Sequence, residues 1–188
     1  AALKRHGFEV INDQQRPWKE RVANSNKVHA DLHVPIHTNA CNSKVAGTRI
    51  MVYEKKGQAY EAAKAIFAQL APITPGSSDN ITTARFAEIL QADAPTAYIE
   101  VAFHDNKTEA QWIIDHKKDI AEAIVKGLCN YYGVKYVAPE AEKPSEPVST
   151  NTLYRVQVGA YSVKANAERM KRALEKDGYD AFIVEVEK

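Results

Sequence analysis

The sequence predicts an α/β fold: a layered, mainly parallel sheet with flanking helices, then a linker and a small partial α+β module. Three observations carry this expectation. Strand-like and helix-like patterns alternate along residues 1–136, the order expected of helices layered on a largely parallel sheet. Residues 137–152, "VAPEAEKPSEPVSTNT", hold three of the chain's eight prolines and three glutamates with almost no large apolar side chain, a linker composition. Residues 153–188 then carry one strand–helix–strand pattern, too little to hide both faces of its strands, so this module reads as partial.

Taken in order, "AALKRHGFEV" reads as the end of a helix running into a strand, "FEVIN". The chain is therefore expected to begin inside a domain, with the N-terminal part of that domain missing. Residues 16–30 are predicted helical. "LHVPIHT" and "GTRIMVYE" are predicted strands, the first because Leu32, Val34 and Ile36 alternate with His33, Pro35 and His37. "GQAYEAAKAIFAQLAPI" is a helix with Tyr60, Ala63, Phe67 and Leu70 on one side, ending before Pro72 and Pro75. "TAYIEVAF" has the apolar run of a buried strand. A long amphipathic helix follows from about Thr108 to Tyr132, with Thr108 and Gln111 spaced as a capping box and Gly133 closing it. Its buried stripe is Trp112, Ile113, Ile120, Ile124 and Leu128. Beyond the linker, "LYRVQVGAY" and "YDAFIVEVEK" are strands around the helix "KANAERMKRALEKDG".

Bulk composition narrows the function. The 188 residues are 45% hydrophobic and 26% charged, a globular balance, and no apolar run approaches the ~20 residues of a membrane span. With 25 basic against 24 acidic side chains and no block of like charge, nucleic acid is excluded as the expected partner. Cys41 and Cys129 form no C-x-x-C pair and read either as two buried thiols or as one disulfide.

The histidines at 29, 33 and 37 in "HADLHVPIHTNA" raise the question of a metal site. Spacing of four suits one face of a helix, but Pro35 and the alternation make this a strand, where residues four apart are separated by about 13 Å at about 3.3 Å each. Zinc holds each nitrogen at about 2.0–2.1 Å, so His33 and His37 are not expected to share one ion. Sites in open α/β sheets lie at the carboxyl ends of strands, and that position selects His37, as a ligand or as a simple strand cap. Glu100 is the second candidate. A lone carboxylate inside an apolar strand is either a structural ion pair or a functional group. With period two, Glu100 and His104 share a face, His104 reading as a polar wall of a cleft. His6, His29 and His116 read as solvated. There is no G-x-S-x-G elbow, no phosphate-binding glycine loop, no H-E-x-x-H and no G-x-G-x-x-G.

Together, "RVANSNKVHADLHVPIHTNA", "GTRIMVYE" and "APTAYIEVAFHDNKTEAQWI" resemble the zinc-dependent N-acetylmuramoyl-L-alanine amidases of the Amidase_3 type. Arg21, Ala30, Asp31, Leu32, Ile36, His37, Asn39 and Ala40 follow one family pattern. Ile99, Glu100, Phe103 and Asn106 follow a second, and Gly127, Leu128 and Tyr131 a helix-end pattern. The resemblance covers roughly residues 1–133. "YRVQVGAYSVKANAERMKRALEKDGYDAFIVEVEK" resembles the SPOR module, on Gln157 to Tyr161, Ala167 and Leu174.

The resemblance implies a peptidoglycan hydrolase of the cell wall, either a secreted autolysin or a phage lysin. It would cleave the amide between N-acetylmuramic acid and the L-alanine of the stem peptide. It implies zinc as cofactor, His37 as one metal ligand, Glu100 as the catalytic carboxylate, and Asn39 and Asn106 as substrate-binding residues. The family's other two ligands, a histidine in a G-H-G-like turn and a helical glutamate, do not occur in this sequence. The alternatives are a non-catalytic wall-binding protein with a degenerate amidase domain, and a zinc peptidase acting within the stem peptide.

Overall fold

The computed structural model describes residues 2–14, 16–139 and 157–186. The chain divides into two compact units, Ala1–Pro139 and Glu140–Lys188, a division that falls within the stretch 137–152 expected as a linker. Most of the expected linker, residues 140–152, and the start of the strand expected at 153–161 lie outside the described residues.

The first unit holds a four-stranded sheet and six α-helices among its described residues. The helices are α1 (Ala2–Arg5), α2 (Trp18–Lys27), α3 (Gly57–Leu70), α4 (Ala87–Gln91), α5 (Lys107–Asp115) and α6 (Lys117–Tyr132). The strands are β1 (Ile36–Asn39), β2 (Arg49–Val52), β3 (Asn80–Thr83) and β4 (Tyr98–Phe103), in the order β1-β4-β2-β3. β1 runs parallel to β4 and β2 parallel to β3, while the central pair β2–β4 is antiparallel. The sheet is thus mainly parallel by pairing but mixed, with the reversal at its centre.

One face of the sheet is closed by α3 and α6. Ile50, Val52, Ile99 and Val101 on the strands meet Ala63, Ile66 and Leu70 of α3 and Ile120, Ile124 and Leu128 of α6 in one buried cluster. The two helices approach closely at Gly127, where an added Cβ would lie 2.4 Å from Ile66 Cα. Fully burying each such aliphatic side chain stabilises the fold by roughly 1.5–3 kcal/mol.

Four local expectations change. "FEVIN" keeps its alternating burial but pairs with no strand among the described residues and is not one, because a strand exists only through its ladder. The single helix expected over 108–132 is two, broken at His116, whose backbone leaves helical geometry at φ −112°, ψ 25°. The amino-terminal cap is Asn106, whose side chain accepts from Thr108 N and Glu109 N, and not the Thr108–Gln111 box. Gly133 does close α6, in the left-handed conformation at φ 67°. Two short elements, β3 and α4, are additional to the sequence reading.

In the second unit the described residues contain α7 (Lys164–Lys176), closed by Gly178 at φ 89°. Residues 179–186, expected as a strand, form no ladder among the described residues and are not one; Glu185 instead pairs with Lys164 of α7 at 3.0 Å.

Candidate active site

The other face of the sheet carries polar side chains in a row. His37 on β1 is the Cα partner of Glu100 on β4, and Glu100 is the partner of Arg49 on β2. Residues paired across a ladder project to the same side, so imidazole, carboxylate and guanidinium are neighbours over three strands. Tyr98, two residues before Glu100, shares this side. Its ring stacks on His37 at 4.7 Å between centroids and 7° between planes, and Phe86 packs edge-on against it at 4.7 Å.

Burial sets the chemistry of the row. Glu100 is 9% exposed, and its Oε2 is buried with no hydrogen-bond partner. Desolvation pushes its carboxyl above the ordinary range near 4.5, with His104 opposing in part. Desolvation also raises the Tyr98 phenol, to about 12, helped by Glu100 and Glu88. A buried carboxylate with a raised pKa and an unfilled lone pair accepts a proton readily, which is what a general base needs.

Behind His37 stands a carboxylate that the sequence reading missed. Glu88 of α4 is 6% exposed. Its Oε1 accepts from Arg21 of α2 at 3.1 Å and lies 3.6 Å from His33 Nε2, and its Oε2 lies 4.0 Å from His37 Nε2. Burial lowers the pKa of both histidines despite Glu88, the net result of desolvation outweighing attraction. The two imidazoles therefore meet opposite oxygens of one carboxylate, although their backbones are four strand positions apart. A sequence signal for Glu88 was present only as an isolated acid in the short apolar run "RFAEIL".

The remaining predicted residues fall into different places. Between His37 and Asn39 the β1–β4 register shifts, so that Asn39 partners Phe103. This bulge places an extra residue in β4 and turns His104 to the far side, where its Nδ1 meets Thr38 Oγ1 at 3.0 Å. The period-two expectation that His104 shares the Glu100 face is thereby corrected. Asn39 is half-buried beside His37, its Oδ1 accepting from Ala40 N at 2.9 Å. Asn106 is committed elsewhere: its Oδ1 caps α5 and its Nδ2 donates to Val45 O at 3.3 Å, which leaves little for a substrate. Cys41 is an exposed free thiol, not buried as expected, and Cys129 is a buried free thiol, so no disulfide joins them. The loop after β1 is pinned by Asp105, which accepts from Cys41 N at 3.0 Å and Ser43 N at 2.8 Å.

Whether these residues suit a zinc ion can be judged from the donors present. His37 supplies one imidazole beside an unpartnered carboxylate oxygen, but among the described residues no group of three or more His, Cys, Asp and Glu side chains is placed to hold a metal. Catalytic zinc usually takes three protein ligands, so the described residues furnish only part of a site.

Comparison with known proteins gives a consistent picture. Residues 1–130 match the family model described as N-acetylmuramoyl-L-alanine amidase, Amidase_3, and residues 141–188 match that of the SPOR domain. Across 178 residues the chain is 23% identical to the sporulation-specific N-acetylmuramoyl-L-alanine amidase of Bacillus subtilis (strain 168), covering 92% of this chain and 64% of that protein. The chain thus spans a little under two-thirds of that relative's length. Among solved structures, the catalytic domain of CwlV from Bacillus (Paenibacillus) polymyxa var. colistinus matches with TM-score 0.57 at 23% identity, covering 64% of this chain and 68% of that one. AmiC2 of Nostoc punctiforme matches with TM-score 0.61 at 19% identity, over 70% and 76%. Cwp6 from Clostridium difficile matches with TM-score 0.62 at 22% identity, over 69% and 23%. At these identities the likeness is one of fold.

Proposed function

As the chain belongs to the Amidase_3 family of N-acetylmuramoyl-L-alanine amidases, we propose that it hydrolyses peptidoglycan at the amide joining N-acetylmuramic acid to the L-alanine of the stem peptide. The observation that carries this reading is Glu100, a buried carboxylate with one oxygen unpartnered, in register with His37 on the polar face of the sheet.

In this reading Glu100 takes a proton from the attacking water at Oε2 and delivers it to the leaving amine nitrogen of L-alanine. Its raised pKa favours holding that proton between the two steps. Tyr98 and Phe86 wall one side of His37 and restrict access of water to it. Glu88, anchored by Arg21, fixes the side of the ring that carries Nε2. Asn39 borders the same cleft and is assigned to hydrogen bonding with a substrate amide. A zinc ion would bind His37 together with ligands not found among the described residues, and would supply Lewis acidity to the carbonyl and to the water. The SPOR domain would hold the enzyme to the wall, so the site of action is the cell wall, with peptidoglycan as both substrate and anchor. This serves an autolysin and a phage lysin equally.

A second reading, a wall-binding protein without catalysis, draws on the absence of a three-ligand metal group among the described residues. Product analysis decides between them. The product of the complete reading frame, supplied with zinc and purified sacculi, is expected to generate new L-alanine amino termini. New termini at another stem residue would indicate a peptidase, and adhesion without new termini would indicate the binding protein.

A further inference from the structure

Arg49 is a cation on the site face that the mechanism above does not use. It lies on β2 opposite Glu100, yet among the described residues it makes no ion pair or hydrogen bond. Its Nε is buried with no acceptor, and its guanidinium carbon sits 5.3 Å from the centre of the Phe103 ring. The ring supports the guanidinium plane without neutralising it. Leaving a buried N–H unsatisfied is costly to a folded protein, so such a group calls for a partner. Of the other arginines in this unit, Arg5 pairs with Glu122, Arg16 with Asp13 and Arg21 with Glu88, while Arg85 stacks on the Tyr53 ring at 4.0 Å. Nor does Glu100 neutralise Arg49, since among the described residues no hydrogen bond or ion pair joins the two, although they are Cα partners across the ladder.

We propose that Arg49 is the specificity residue for a carboxylate of the substrate, binding a free carboxylate on the stem peptide close to the scissile amide. The inference rests on the amidase reading and deepens it. Cα partners in an antiparallel ladder are about 4.5–5.5 Å apart, so the guanidinium reaches a point near Glu100 but displaced across the sheet. A peptide advances at most about 3.3–3.6 Å per residue, which puts the group it meets one or two residues beyond the bond that Glu100 serves. The planar fork of a guanidinium suits a carboxylate through paired N–H donors, and a carboxamide offers it only one acceptor and no charge. The consequence is discrimination between stem peptides whose acidic residue is free and those in which it is amidated.

The test uses two soluble probes, muramoyl-L-alanyl-D-glutamate with its α-carboxylate free and the same compound as the α-carboxamide. Their dissociation constants are measured on the full chain, on R49M and on R49K, with circular dichroism reporting the fold. Wild type is expected to prefer the free carboxylate by about tenfold, the scale of one charge-assisted contact, with the preference shrinking in high salt. R49M should bring the ratio to about one. R49K should keep part of it, and it carries the test if R49M fails to fold. Equal binding of both probes by wild type, or a full preference retained in R49M, overturns the inference and leaves the amidase reading intact. Binding of neither probe overturns both.

Discussion

Glu100 and Glu109 are two buried glutamates nine residues apart, and the regions around them are built to opposite ends. Glu109, 1% exposed at the start of α5, accepts from Gly47 N and Phe103 N, both at 2.7 Å, one oxygen for each. It ties the entry of β2 to the end of β4 and has a backbone donor on each oxygen. Glu100, on β4 itself, has an oxygen with nothing to accept from. A buried carboxylate satisfied by backbone donors is a structural clasp. One left unsatisfied is held in an unfavourable state by the fold around it, which is how reactive groups are kept ready. Burial alone therefore does not distinguish the two glutamates; their hydrogen bonds do.

The largest effect that would break this comparison is on catalysis. E100Q is expected to lower kcat by about 10²–10⁴, the usual contribution of a general acid–base group. The fold should survive, because a neutral amide replaces a carboxylate that burial already disfavours. A thermal melt alongside single-turnover hydrolysis separates the two quantities, and loss of the fold in E100Q would erase the distinction.

The next effect falls on the clasp. E109Q keeps one acceptor and turns the other oxygen into a donor, leaving Gly47 N or Phe103 N without a partner. Denaturant unfolding should show a loss of about 1–3 kcal/mol. A loss of no more than about 0.3 kcal/mol would mean that the clasp is dispensable. Smaller again is the cap beside it. N106A should destabilise the first unit by about 1 kcal/mol, whereas N106D, an equally good cap, should be near neutral. If N106D instead weakens substrate binding while leaving stability intact, Asn106 does touch the substrate.

The smallest prediction sharpens the comparison through pH. Burial raises the Glu100 pKa above its ordinary 4.5, so the folded state binds the proton more tightly than the unfolded one. Its contribution to stability is present in full below about 4.5 and is lost as pH rises through the raised value. The midpoint difference between E100Q and wild type, measured without metal, should therefore widen in favour of E100Q as pH climbs above about 4.5. A flat difference would place Glu100 in water.

Much of this was legible in the sequence. The apolar run of β4 and the lone acid within it stood out, as did the stripe of α6 and the glycine that stops it. His37 was singled out by an expected place at the end of the strand 32–38, whereas β1 is Ile36–Asn39 and His37 is its second residue. The elements that escaped are short or irregular. β3 is "NITT" and α4 is "AEILQ", too brief and too polar for a period to show, and α4 is what brings Glu88 against His33 and His37. The bulge after Glu100 leaves no mark in residue order, so simple alternation put His104 on the wrong face. The cap was misjudged for a related reason. Asn106 and Glu109 also have capping-box spacing, but tertiary contacts draw Glu109 away to Gly47 and Phe103. Nothing in residue order singles out Arg49, whose register with Glu100 exists only in the folded sheet.

The most direct measurement counts L-alanine amino termini released from purified peptidoglycan by the zinc-supplied product of the complete reading frame and by its E100Q and E109Q variants, at a temperature where all three are folded. The account predicts release by wild type, release by folded E109Q at a rate much closer to wild type than to background, and none above background by E100Q. Release by E100Q at the wild-type rate, or its loss in folded E109Q alone, would contradict the assignment of the two glutamates.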